Sequence, residues 1–85
     1  MNWKLFVTGP ARKQLRRLPA RDRARVSGAL LEMQRDPFSG DLARLTAQPA
    51  AWRRRVGSDR ILFDVDYGQL SVVVTAVLRR TSTTY

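Results

Sequence analysis

The residues best suited to chemistry in this chain are arginines in the segment Trp52–Arg60. The segment places four arginines in nine residues: Arg53, Arg54, Arg55 and Arg60. If it begins as a strand, the alternation of side chains puts Arg53 and Arg55 on one face and Arg54 on the other. Fixed guanidinium groups bind phosphate oxygens and stabilise the negative charge of a phosphoryl-transfer transition state. The segment is therefore a candidate phosphate site.

A turn within the same segment is expected to bring two of these arginines together. Gly57-Ser58 is typical of a two-residue hairpin turn, and with that turn Arg55 lies directly opposite Arg60 in the ladder. Like charges that face each other across a sheet are destabilising, which favours a bound anion such as phosphate. The alternative interpretation is a solvated basic edge that discourages aggregation between sheets.

Composition excludes several other kinds of site. The chain contains no cysteine and no histidine, which removes disulfides, thiolate nucleophiles, histidine bases and the commonest metal ligands. It contains no Walker A loop and no dinucleotide-binding motif. A divalent-metal site at Asp59, Asp64 and Asp66 is disfavoured, because acidic residues at this spacing usually line turns and balance nearby arginines. We expect neither a metal nor a cofactor.

The net charge indicates a polyanionic partner. It is +9, and the basic residues are nearly all arginines. Nucleic acid is the leading partner class, followed by an anionic membrane surface or an acidic protein. Arginine favours RNA, because its planar fork matches phosphate oxygens and stacks on bases. No stretch approaches the ~20 apolar residues of a membrane span, and the first residues lack a signal-peptide pattern, so the cytoplasm is the predicted location.

Hydrophobic patterning predicts one α+β domain over residues 1–85, with a two-helix hairpin packed on one face of a small four-stranded sheet. The predicted order is a strand, two helices and a three-strand antiparallel meander: residues 3–8, 11–18, 20–35, 52–56, 59–65 and 70–78. Leu42 and Leu45 are expected to form a short turn against the core. The last strand is apolar on both faces and should lie in the sheet interior. Arginines project from the open face, whereas Arg54 is predicted to be structural.

In its motifs the sequence resembles the RelE/ParE toxin superfamily, and more specifically the RelE-like ribosome-dependent mRNA endonucleases. The resemblance covers nearly the whole chain, and each motif is weak alone but fairly specific in combination. The motifs are Trp3–Thr8, Ala11 with Leu15–Pro19, Asp36-Pro37, Leu45, Trp52–Phe63, and the closing Arg80 and Tyr85.

This resemblance implies the toxin of a type II toxin–antitoxin system, acting as a metal-independent endoribonuclease. Such enzymes cleave mRNA in the ribosomal A site by attack of a 2′-OH on the adjacent phosphate, which leaves a cyclic phosphate. The implied partners are the ribosome with its mRNA and an acidic, largely helical antitoxin in a heteromeric complex. The catalytic positions of the family fall on Arg60, Arg80, Tyr85 and Arg55 of this sequence. Its substrate-binding positions fall on Arg53, Arg55 and Arg79.

The sequence departs from the family pattern at several of these positions. Arg53 and Arg55 stand where the best-known members have lysines, and a guanidinium does not release its proton near neutral pH, so both are poor general bases. The glutamate and histidine that serve as acid and base in some relatives have no counterpart. Asp59 occupies a place that is often aromatic. Two alternatives remain: a ParE-like toxin that inhibits DNA gyrase, and a non-catalytic basic module that binds RNA or DNA.

Overall fold

A computed structural model describes residues 2–46 and 50–79, which form a mixed five-stranded sheet with two helices on one face. In chain order the elements are β1 (Lys4–Val7), α1 (Gly9–Arg17), α2 (Ala20–Arg35), β2 (Asp41–Arg44), β3 (Trp52–Val56), β4 (Asp59–Asp66) and β5 (Ser71–Arg79). The strand order is β1-β5-β4-β3-β2. β1 runs parallel to β5, and all other neighbours are antiparallel. The predicted α+β class, the meander and the interior position of the last strand are confirmed.

The predicted number of strands was wrong by one. Residues 41–44, at the place of the expected turn, form the edge strand β2, which pairs with β3 from Asp41 opposite Arg55 to Arg44 opposite Trp52. The backbone N–H of Leu45 donates to the carbonyl of Ala51 at 2.8 Å and extends this pairing. A segment of only four residues carries almost no periodic signal, and its conformation depends on backbone hydrogen bonds that only the neighbouring strand provides.

The helices pack their apolar stripes onto the sheet as predicted. α1 begins at Gly9, two residues before the predicted apolar stripe, and Thr8 caps it by accepting a hydrogen bond from the N–H of Ala11 at 3.3 Å. Buried side chains of α2 meet β4 and β5 in one core: Val26, Ala29, Leu30, Met33, Ile61, Phe63, Val72, Val74 and Val77. Within the described residues, neither helix combines the length and apolar character that crossing a membrane requires.

Gly40, which immediately precedes β2, is expected to be sensitive to substitution. Its φ is +82°, and a Cβ added there would lie 2.7 Å from the side-chain Nε of Arg54. Both the left-handed backbone and the close approach oppose a side chain, so Gly40→Ala should lower the free energy of unfolding by about 1–3 kcal/mol.

Urea unfolding followed by circular dichroism measures this loss. Gly28→Ala is the matched control, because it lies inside α2 and a Cβ there meets nothing within 4 Å. Alanine at that helical position should stabilise the protein by about 0.5–1 kcal/mol. Equal urea midpoints for Gly40→Ala and the unsubstituted chain would contradict the role given to Gly40.

Candidate functional site

The β3–β4 hairpin has the register predicted from its turn. Gly57 adopts φ +59°, the left-handed conformation that glycine accepts without strain. Val56 pairs with Asp59, and Arg55 pairs with Arg60. Two guanidinium-bearing residues are therefore direct neighbours on adjacent strands.

Three arginines share the sheet face that the helices leave open. Arg53 and Arg55 alternate with buried Arg54 on β3, and Arg60 alternates with buried residues on β4. We call Arg53, Arg55 and Arg60 the open-face arginines. The structure thus brings together three of the predicted site residues.

Two of the open-face arginines have a side-chain donor without an acceptor in the described residues. The Nε atoms of Arg53 and Arg60 are buried and have no hydrogen-bond partner within the described part of the chain. A buried donor without an acceptor costs about 1–3 kcal/mol. An anionic ligand that draws these guanidinium groups outward and supplies acceptor oxygens would remove that cost, so the arrangement is compatible with anion binding.

Arg55 differs from the other two because the protein supplies an anion for it. Its Nε lies 3.5 Å from Oδ2 of Asp41 on β2, and both side chains are about half exposed. A solvent-screened pair of this kind is weak, at about 0–1 kcal/mol. It relieves part of the repulsion between Arg55 and Arg60 and leaves Arg55 able to exchange Asp41 for a phosphate.

Apolar side chains border the open-face arginines on the same face. Leu78 on β5 is opposite Arg60, and Leu62 on β4 is opposite both Arg53 and Ala76. Leu62 and Leu78 are half-buried. A flat surface with cations beside apolar side chains can hold phosphates at the former and base or sugar surface on the latter.

Arg79 lies on the other face of the sheet. It pairs in the ladder with Asp59, whose side chain is buried beneath the helices. Its Nε lies 3.8 Å from Oδ2 of Asp22 on α2. The alternation of side chains along β5 therefore separates Arg79 from the open-face arginines, with which the sequence interpretation had grouped it. Arg80 and Tyr85 lie outside the described residues, and their assigned roles stay predictions.

Arg54 has the structural position expected from alternation. It is 7 % exposed, and its guanidinium donates to Glu32, to the carbonyl of Ala29 at 3.3 Å and to the hydroxyl of Ser39 at 3.4 Å. These contacts join β3 to α2 and to the loop after it. Arg44 on β2 lies over an aromatic ring, with its Cζ 5.5 Å from the ring centroid of Trp52.

A buried carboxyl at Asp59 is the main feature that sequence reasoning missed. Asp59 is 1 % exposed. Burial raises its pKa above the ordinary value of 3.8, and the charge of Asp22 and a hydrogen bond with it raise the pKa further, against the opposing effect of Arg79 and Arg25. Alternation with Ile61 and Phe63 was the available signal, since it places Asp59 on the helix-covered face.

The raised pKa of Asp59 predicts a specific pH dependence of stability. An acid with a higher pKa in the folded state stabilises the fold fully below its unfolded pKa, and this contribution is lost as the pH rises through the folded pKa. The unfolding free energy of the unsubstituted chain should therefore fall relative to that of Asp59→Asn as the pH rises from about 3.8. Urea unfolding of both proteins across this range checks the sign, and a constant difference would contradict it.

The acidic residues do not assemble into a metal site within residues 2–46 and 50–79. No group of three or more histidine, cysteine, aspartate and glutamate side chains comes together there. Asp59 points toward the helices, whereas Asp64 lies on the opposite face and accepts a hydrogen bond from the N–H of Ala51 at 2.7 Å. The two residues cannot bind one ion.

Comparison with known proteins identifies a shared fold. No family model and no curated protein matches this chain. A chain of the toxin–antitoxin complex RelBE2 from Mycobacterium tuberculosis is 26 % identical, with a TM-score of 0.81 over 94 % of this chain and 100 % of the other. An archaeal RelE–RelB complex from Pyrococcus horikoshii OT3 is 17 % identical, with a TM-score of 0.81 over 98 % and 100 %. The isolated E. coli RelE toxin is 19 % identical, with a TM-score of 0.78 over 96 % and 88 %.

Proposed function

Because this chain has the fold of the RelE-like toxin superfamily, we propose that it is the toxin of a type II toxin–antitoxin system and cleaves mRNA on the ribosome. The observation that carries the proposal is the group of open-face arginines. Arg55 and Arg60 are ladder partners, and the Nε atoms of Arg53 and Arg60 are buried without an acceptor in the described chain. Such a group suits a phosphodiester whose reaction develops negative charge.

RNA supplies the nucleophile for this reaction. The 2′-OH loses its proton as its oxygen forms a bond to the adjacent phosphorus. The bond from phosphorus to the 5′-oxygen breaks, this oxygen gains a proton and leaves as a 5′-hydroxyl, and a 2′,3′-cyclic phosphate remains. The enzyme must hold the three atoms in line and neutralise charge on the non-bridging oxygens. Arg60 is assigned to stabilise the pentacoordinate phosphorus, while Arg53 and Arg55 position the phosphate. These roles require neither histidine nor a metal.

Proton transfer is assigned to residues other than the open-face arginines. A guanidinium remains protonated at neutral pH, so it cannot accept the 2′-OH proton. On sequence grounds, Tyr85 either orients the nucleotide or shares in proton transfer, and Arg80 joins Arg60 in stabilising the transition state. Alanine substitutions at Arg80 and Tyr85 test these assignments in the cleavage assay.

The proposed partners follow from charge and fold. A net charge of +9 favours association with ribosomal RNA and mRNA and with an acidic antitoxin. The structural match from M. tuberculosis is a toxin–antitoxin complex, and the match from P. horikoshii is a RelE–RelB complex. A heteromeric complex with a cognate antitoxin, located in the cytoplasm, is the expected resting form.

Induced expression with primer extension of cellular mRNA tests this function. Cuts in phase with codons in translated regions, with no breaks in DNA, are the expected result. Arg35→Ala, a change at an exposed arginine at the end of α2, serves as the control and should cut normally. DNA breaks trapped on gyrase without RNA cuts would establish the ParE-like alternative, and RNA or DNA binding with neither kind of cut would establish the non-catalytic one.

A further inference from the structure

Asp59 lies next to Arg60 in the chain, and the two side chains point to opposite faces of β4. The Asp59 carboxyl is buried beneath the helices, whereas Arg60 belongs to the open face. Because adjacent strand residues share one peptide group, holding the Asp59 side chain also restrains the direction in which Arg60 leaves the backbone. The Nε of Arg60 has no hydrogen-bond partner within the described residues, so this backbone restraint is important for its orientation.

The groups around Asp59 come from two other elements. Asp22 and Arg25 belong to α2, and Arg79 belongs to β5. Arg79 pairs with Asp59 in the ladder and lies 3.8 Å from Asp22. Arg25 reaches the hairpin turn, since its Nη1 lies 3.1 Å from the place of a Cβ on Gly57. Two carboxyls and two guanidinium groups thus connect α2 with the hairpin end of β4 and with the end of β5.

Asp22 and Asp59 share one neighbour, because Arg79 pairs with Asp59 in the ladder and its Nε lies 3.8 Å from Oδ2 of Asp22. Burial, together with the charge of Asp22 and hydrogen bonding to it, raises the pKa of Asp59. The second oxygen of Asp59, Oδ1, has no partner within the described residues. The raised pKa and the unpartnered Oδ1 both mean that Asp59 ionises less readily than an exposed aspartate.

We propose that Asp59 is a positioning residue, whose buried carboxyl anchors the beginning of β4 to α2 and thereby holds Arg60 in place on the open face. This role rests on the proposed RNA cleavage, in which Arg60 contacts the reacting phosphate. Asp59 itself lies on the far side of the sheet and does not touch the substrate. Its effect reaches the site through the backbone it shares with Arg60.

Nitrogen–proton NMR of the full chain tests the coupling without substrate. As Asp59 ionises, its interactions with Asp22 and Arg79 change, and the Nε–Hε resonance of Arg60 should shift with the same midpoint. In Asp59→Asn the shift should be absent, because the amide cannot ionise. An Arg60 resonance that is unchanged across the titration of Asp59 would overturn the proposal.

Cleavage kinetics on programmed ribosomes give the second readout. Small misplacements of catalytic groups can cost ~100-fold in rate. Asp59→Ala should therefore lower kcat about tenfold or more, with a smaller change in KM. The kcat of Asp59→Asn should stay within about threefold of that of the unsubstituted enzyme. The control is Asp66→Asn, at the exposed far end of β4, which should behave as the unsubstituted enzyme.

The two proposals fail in different ways. If Asp59→Ala is folded and keeps an unchanged kcat while Arg60→Ala loses cleavage, the positioning role is overturned and the nuclease stands. If Arg60→Ala keeps cleavage, the proposed catalytic site is overturned, and the NMR titration still decides whether Asp59 controls Arg60. If Asp59→Ala does not fold, the NMR titrations of the unsubstituted chain and of Asp59→Asn decide whether Asp59 positions Arg60.

Discussion

Arg60→Ala is expected to lower the rate of mRNA cleavage about 10²–10³-fold, the usual effect of removing one preorganised group that stabilises transition-state charge. Arg60 has the strongest position for this role among the open-face arginines. It is directly opposite Arg55 in the ladder, and its Nε is buried without an acceptor in the described chain. Because the guanidinium meets charge that develops during the reaction, the loss should fall mainly on kcat.

Single-turnover cleavage of an mRNA codon on programmed ribosomes measures this effect. Arg35→Ala is the matched control, since it removes an exposed arginine from the far end of α2 and leaves the sheet unchanged. Circular dichroism should show both variants folded. If Arg60→Ala cleaves at the unsubstituted rate, Arg60 is not a catalytic residue and the assigned site is wrong.

Arg54→Ala is expected to destabilise the fold by about 2–3 kcal/mol and to leave the catalytic group intact. The substitution removes buried methylene groups, each worth about 0.8 kcal/mol. It also removes hydrogen bonds to Glu32, Ala29 and Ser39. The cost stays moderate because the Glu32 side chain is 63 % exposed, so water can solvate its carboxylate once Arg54 is gone.

Urea unfolding of Arg54→Ala and Arg44→Ala compares the stability lost when a buried arginine is removed with the stability lost when an exposed one is removed. Arg44 lies on the edge strand over Trp52, and an exposed cation–π contact is worth about 0.5–1 kcal/mol. Cleavage per folded molecule of Arg54→Ala should remain near that of the unsubstituted chain. If Arg54→Ala has unchanged stability but loses cleavage, the division of the arginines between the two sheet faces is incorrect.

Much of the site was predictable because strand alternation is a strict geometric rule. Once Gly57-Ser58 is taken as a two-residue turn, the pairing of Arg55 with Arg60 follows, and so does the separation of Arg54 from Arg53. Both features are present in the structure. Local turn chemistry and period 2 therefore determined the hairpin without any tertiary information.

The features that were not predicted from the sequence depend on contacts between distant segments. β2 is a strand because β3 lies beside it, and four residues contain too little pattern to reveal that pairing. Asp59 is buried because α2 covers it, and Arg79 points away from the open face because it shares a ladder position with Asp59. The sheet face on which a β5 side chain lies depends on the register between β4 and β5, which no short motif specifies.

The glycines show the same division between local and distant causes. Gly57 was predictable, because a tight hairpin turn demands a left-handed residue. Gly40 was not, because its second constraint is the Arg54 guanidinium from another strand. Features that depend on neighbours in the chain could therefore be predicted from the sequence. Features that form where side chains of separate elements meet could not.

Replacing the nucleophilic 2′-OH of the A-site codon with hydrogen tests the central claim most directly, namely that arginines on an open sheet face promote attack by RNA on its own phosphate. We predict that an mRNA with one 2′-deoxynucleotide at the scissile position remains intact on programmed ribosomes, while the all-RNA message is cut and carries a 2′,3′-cyclic phosphate. Cleavage of the deoxy-substituted message at an equal rate, or an all-RNA message that stays uncut, would contradict this account.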